Sequence, residues 1–205
     1  METLPMQDVQ ERVGMPLEEF LQEFQRQPFE LINGEKRVKM PGVAGHSYRM
    51  YLLYQWLLTF VLPRGLGEVL LETTFILPGS YGSDWVKGSR IPDILFYAAD
   101  RLAEYRLEIP DWERRLYELV PDLVIEIVSP NDSYSDIDAK VDLYMGDDVH
   151  LIWVCDPQRR KVRVHTPEGE ATLSGDAKLT GGDILPGFEV ALPDLFAPPS
   201  AAPSA

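Results

Sequence analysis

Residues 121–130 read Pro-Asp-Leu-Val-Ile-Glu-Ile-Val-Ser-Pro, residues 131–146 read Asn-Asp-Ser-Tyr-Ser-Asp-Ile-Asp-Ala-Lys-Val-Asp-Leu-Tyr-Met-Gly, and residues 150–155 read His-Leu-Ile-Trp-Val-Cys. The first block is apolar and β-branched and stops at Ser129-Pro130. The second has helical spacing at Ile137, Val141 and Tyr144 and stops at Gly146, and the third is a short apolar run. This is a strand, helix, strand unit. A crossover of that length joins parallel strands, and strands apolar on both faces are covered on both faces. Alternation puts Val124, Glu126 and Val128 on one face and Leu123, Ile125 and Ile127 on the other. Glu126 therefore stands between two valines, where an ionised carboxylate is costly unless a cation or several donors face it.

The chain has 205 residues, 45% of them hydrophobic, enough for one sizeable core. A single domain over 1–196 is expected, followed by a low-complexity, disordered tail over 197–205. No apolar stretch is long enough to cross a bilayer, and the first residues lack the basic start and apolar run of a signal peptide. The expected location is the cytoplasm, with no membrane partner. Cys155 is the one cysteine, so neither an intrachain disulfide nor a cysteine-based zinc site is available. The net charge of −14 argues against a broad cationic surface for nucleic acid. The basic residues that do cluster, Lys36, Arg37 and Lys39, then Arg159, Arg160, Lys161 and Arg163, lie beside turns.

Outward from the central unit, Pro16-Leu-Glu-Glu-Phe-Leu-Gln-Glu-Phe predicts a short amphipathic helix. Asn33-Gly34, set between two extended runs, predicts a hairpin, because both turn positions need positive φ. Residues 43–62 predict a long helix ended by Pro63 and Gly65. Strands are expected at 68–77 and 91–97, with a Gly/Ser-rich loop over 78–89 and a helical excursion over 98–118. A further strand is expected at 161–165, then short β pieces over 171–190. The strands at 68, 91 and 123 meander and the one at 151 lies parallel to the third, giving an α/β or α+β domain with a mixed sheet, an N-terminal hairpin and a C-terminal β appendix.

Glu126 needs a partner. Asp122 shares its face but stands roughly 13 Å away at strand rise, too far to share one ion. A residue on a neighbouring strand stands about 5 Å away, and Asp93 in Arg90-Ile-Pro-Asp fits. Two carboxylates at that separation, with waters completing an octahedron, suit Mg2+ or Mn2+.

Pro92-Asp93, then Glu126-Ile127-Val128 in a strand, then a helix bearing Lys140 and a parallel strand, resembles the PD-(D/E)XK nuclease superfamily. Further ordered blocks (Phe29-Glu-Leu-Ile-Asn-Gly-Glu, Pro121 to Pro130, Trp153-Val-Cys-Asp-Pro and Leu185-Pro-Gly-Phe) resemble its Uma-type family of bacterial restriction-endonuclease-like proteins. The resemblance implies a restriction-endonuclease-like core and a Mg2+-dependent endonuclease acting on DNA phosphodiesters. Asp93 and Glu126 would be the metal ligands, and a lysine would orient the attacking water. The superfamily lysine belongs two residues after Glu126, where Val128 stands, and Lys140 on the next helix is the replacement. An i, i+4 surface pair with Asp136 is the simpler reading of Lys140. A histidine near the site is matched by His46, for which capping or packing is the competing reading. Glu30 and Glu35, flanking the hairpin turn, are candidate further carboxylates, although exposure there is the simpler account. Pairing Pro121-Asp122 with Asp138-Ala139-Lys140 instead would fail, because residues two apart on a helix point in different directions. A non-cleaving binding or regulatory protein and a hydrolase of small phosphoesters are the rival functions, and a homodimer stays open.

Overall fold

The computed structural model describes residues 13–80, 84–130 and 132–198. Its elements are β1 (Met15–Pro16), α1 (Leu17–Arg26), β2 (Phe29–Ile32), β3 (Glu35–Val38), α2 (Ala44–Val61), β4 (Gly67–Leu71), β5 (Phe75–Ile76), β6 (Trp85–Val86), β7 (Ser89–Arg90) and β8 (Ile94–Ala98). There follow α3 (Ala99–Glu108), β9 (Leu123–Ile127), α4 (Tyr134–Gly146), β10 (Leu151–Asp156), β11 (Lys161–Thr166), β12 (Gly169–Ser174), β13 (Lys178–Gly181), β14 (Leu185–Ala191) and α5 (Leu192–Leu195). The main sheet runs in the order β12-β11-β10-β9-β8-β4. β4, β8 and β9 form the expected antiparallel meander, and β10 is parallel to β9 across the α4 crossover. Glu126 thus sits in an interior strand between β8 and β10. The fold is the mixed-sheet α/β arrangement that the sequence predicts.

The alternation along β9 sorts its side chains between two layers. Ile125 and Ile127 pack with Leu53, Leu57 and Val61 of α2 and with Trp153 and Cys155. Val124 and Val128 face Ile137, Val141 and Tyr144 of α4. Cys155 is buried there as a small apolar group, its thiol pushed up to about 12 by burial. The polar interruption in the apolar strand therefore faces the crossover helix. That helix starts at Ser133, whose hydroxyl accepts from the Asp136 backbone N–H at 3.1 Å, and runs to Gly146.

A second sheet, β3-β2-β7-β5, and the apolar cluster it builds with α1 and β6 (Phe20, Phe29, Leu31, Ile76 and Val86) correct three expectations. The strand expected at 68–77 breaks at Glu72, whose φ is 44° and whose N–H bonds the Asp93 carbonyl, so 75–76 leave the main sheet for the second. The strand expected at 91–97 starts only at Ile94, because Pro92 has no N–H for a ladder, and the supposed loop over 78–89 contains β6 and the start of β7. Both breaks flank Asp93. The hairpin forms as predicted, with Asn33 and Gly34 at φ 51° and 83°. Of the C-terminal β pieces, β11 and β12 widen the main sheet and β13–β14 form a separate hairpin. Most of the tail expected to be disordered lies outside the described residues, and within them the Ala197 carbonyl accepts from Arg49 at 2.7 Å. Among the described residues no helix is long and apolar enough to cross a membrane.

Candidate active site

The register of β8 on β9 pairs Ile94 with Ile125, which sets Asp93 across from Glu126. Asp93 ends the irregular segment before β8, and three donors converge on it. Ile127 N–H reaches Oδ2 at 2.8 Å, His46 Nε2 reaches the same oxygen at 2.9 Å, and Lys39 Nζ reaches Oδ1 at 3.1 Å. A carboxylate can only accept, so the imidazole nitrogen donates. Burial alone would raise the Asp93 pKa, but the His46 hydrogen bond and the Lys39 charge outweigh it and hold it down to about 2. The same bond pushes His46 above its ordinary 6.5. The loop before α2 packs closely on this ring, since a Cβ at Gly42 would come within 2.5 Å of His46 Nδ1.

Glu126 is 3% exposed. Its Oε2 accepts from Lys140 Nζ at 3.1 Å and its Oε1 from the Tyr144 hydroxyl at 2.6 Å. Lys140 and Tyr144 are four apart and share a helix face, so α4 delivers both donors to one carboxylate. Burial raises Glu126 above its ordinary 4.5, with Lys140 only partly offsetting it. For Lys140, the charges of Glu126 and Glu30 overcome desolvation and keep it protonated. Glu30 on β2 completes the group: Oε1 accepts from Ile91 N–H at 3.0 Å and Oε2 stands 3.8 Å from Lys140 Nζ. Asp93, Glu126, Lys140, His46 and Glu30 all line one cavity of about 560 Å3.

Five of the six residues singled out in the sequence meet here. Glu35 does not: it is exposed at the start of β3, outside the cavity wall. The alternative pairing of Lys140 with Asp136 is not made: Lys140 pairs with Glu126, and Asp136 accepts from the Ser133 hydroxyl at 2.6 Å. The misleading motif also resolves elsewhere, with Asp122 bound to Arg101 at 2.7 Å and Asp138 to Arg163 at 2.7 Å. Two contributors escaped the sequence reading. Tyr144 reads only as core, because its spacing explains its burial without its hydroxyl. Lys39 reads as one of a basic cluster beside a turn, and the contact that singles it out lies 54 residues away.

The donor set suits the metal that the resemblance implies. Among the described residues no group of three or more His, Cys, Asp or Glu stands ready to hold an ion. Asp93 and Glu126 offer a pair of carboxylates instead, and Mg2+ or Mn2+ keeps several waters when bound by so few protein oxygens. The raised Glu126 carboxylate is a group that further positive charge would stabilise.

A mixed sheet carrying opposed carboxylates that face a lysine-bearing crossover helix is a nuclease-like architecture. The solved structure of a protein titled a putative nuclease from Anabaena variabilis shares the fold, with a TM-score of 0.71 and 22% identity over 89% of this chain and 97% of that one. The chain belongs to the Uma2 family, described as "Putative restriction endonuclease", whose model matches residues 17–193. A search of curated proteins finds no significant match.

Proposed function

We propose that this protein is a divalent-cation-dependent endonuclease that hydrolyses DNA phosphodiesters within a single restriction-endonuclease-like domain. The observation that supports this most is the convergence of Asp93, Glu126 and Lys140 on one cavity. Asp93 and Glu126 would hold Mg2+ or Mn2+, which when bound lowers the pKa of water and offsets charge on a phosphoryl group.

The chain's own residues supply the rest. Lys140, kept protonated beside Glu126, orients the attacking water and meets developing negative charge. Tyr144 fixes the Glu126 carboxylate from the far side. His46 and Lys39 keep Asp93 ionised and oriented. Glu30 ties the backbone at Ile91, two residues before Asp93, to the hairpin.

The test is calorimetric titration with Mn2+, followed by incubation with supercoiled and single-stranded DNA. Wild type should bind the ion and nick DNA, and Asp93→Ala and Glu126→Ala should do neither. Equal Mn2+ affinity in all three proteins would put the metal elsewhere. The net charge of −14 favours the second reading, a protein of this fold that binds without cleaving or that hydrolyses a small phosphoester. Turnover of bis(p-nitrophenyl) phosphate without DNA cleavage would select the latter.

A further inference from the structure

The β2–β3 hairpin carries a cation that none of the contacts above uses. Alternation divides its side chains between two sides. Phe29 and Leu31 join the α1 core, whereas Glu30 and Ile32 line the cavity. The register opposes Glu30 and Arg37, so Arg37 leaves β3 on the cavity side, which Lys39 also lines just past the end of the strand. Opposite charges directly opposed on antiparallel strands stabilise each other when they meet. This pair does not meet, because the Glu30 oxygens turn inward to Ile91 N–H and Lys140.

The other cations nearby are committed as well. Lys36, on the far face, pairs with Glu23, Lys39 with Asp93, and Lys140 with Glu126. Arg37 is exposed, and among the described residues its guanidinium has neither an ion-pair partner nor a hydrogen bond. The outer wall of the cavity is otherwise acidic, with Glu72, Asp132, Asp136 and Asp142. Of the Lys and Arg side chains lining the cavity, Lys39 and Lys140 are already paired with its carboxylates, so among the described residues Arg37 is the one left unpaired to meet an entering polyanion.

We infer that Arg37 is the docking contact for a backbone phosphate of the nucleic acid, adjacent to the phosphodiester held at Asp93 and Glu126. This rests on the nuclease reading and adds to it the residue that admits an anionic strand to an acidic cavity. A planar guanidinium takes two phosphate oxygens at once, which a lysine cannot do. Its mounting on a paired strand rather than a loop fixes its direction relative to the carboxylates.

The experiment is fluorescence anisotropy of a short labelled DNA duplex on the full chain, with Ca2+ replacing Mg2+ to suppress turnover, repeated across salt concentrations. Arg37→Met should weaken binding about three- to tenfold and lower the slope of log K against log salt by about 1. Arg37→Lys, which keeps the charge but loses the fork, should restore the slope and only part of the affinity. The Mn2+ isotherm should be unchanged in both variants. Lys178→Met, which removes an exposed cation paired with Glu189 on the β13–β14 hairpin, should bind duplex as wild type does. Wild-type slope and affinity in Arg37→Met would overturn this contact alone. Failure of the wild-type protein to bind duplex at all would overturn the DNA reading and the contact with it.

Discussion

Lys140 Nζ lies 3.1 Å from Glu126 Oε2, so the crossover helix returns to neutralise the one carboxylate carried into the interior of β9. Fourteen residues separate the two along the chain. The ammonium is thereby held at the cavity, facing the pair formed by Glu126 and Asp93.

Lys140→Met should retain the fold and still bind Mn2+ at alkaline pH, where Glu126 stays ionised, while DNA cleavage falls by a factor of roughly 10² or more, the usual effect of losing one positioned catalytic group. Single-turnover cleavage measured beside calorimetry separates the two effects. A neutral substitution would remove Lys140 from the chemistry and favour the non-cleaving reading.

Tyr144→Phe tests the other side of the same carboxylate. It removes the 2.6 Å hydrogen bond to Oε1 and leaves a buried acceptor short of a donor, at a cost of about 1–3 kcal/mol. The Glu126 pKa should rise further, so Mn2+ affinity should fall more from a higher to a lower pH than in wild type. Urea midpoints and isotherms at the two pH values give both numbers, and unchanged values would return Tyr144 to a packing role.

Stability of the metal-free protein should pass through a maximum with pH. Asp93 has a depressed pKa, about 2 against an ordinary 3.8, so its contribution is full above about pH 4 and is lost as pH falls through about 2. That contribution is on the order of 2 kcal/mol. His46 is raised above 6.5, so its contribution is full below that value and is lost as pH rises through the folded value. Glu126, also raised, contributes below 4.5 and loses that as pH rises. Asp93→Asn in EDTA should flatten both the Asp93 and His46 arms of a urea-midpoint profile. A profile parallel to wild type would show that the two groups are not linked.

Asp122→Asn should weaken the fold by about 1–2 kcal/mol through its part-exposed partner Arg101 and the Ala98 N–H it accepts from. Cleavage per folded molecule and Mn2+ binding should both stay at wild-type values. Loss of metal binding in this variant would mean that the Pro121-Asp122 motif belongs to the site after all.

What the sequence determined by itself is what local periodicity encodes. Period-two alternation put Glu126 on one face of β9 with Val124 and Val128, helical spacing turned Ile137, Val141 and Tyr144 onto the sheet, and Asn33-Gly34 closed the hairpin, because each depends on neighbours within one element. The opposition of Asp93 and Glu126 was legible too, since adjacent strands bring such residues together at a fixed spacing. Only the tertiary structure decided how the long side chains are partnered. Lys140 has Asp136 four residues before it on its own helix, but its ammonium pairs with Glu126 on the adjacent sheet. The break at Glu72, the second sheet and the grip of Lys39 on Asp93 depend on contacts 20 to 60 residues apart in the chain, roughly, with no local period to announce them. Among the described residues Arg37 is unpaired for the same reason: its cross-strand neighbour Glu30 is claimed by the Ile91 N–H before β8 and by Lys140 of α4.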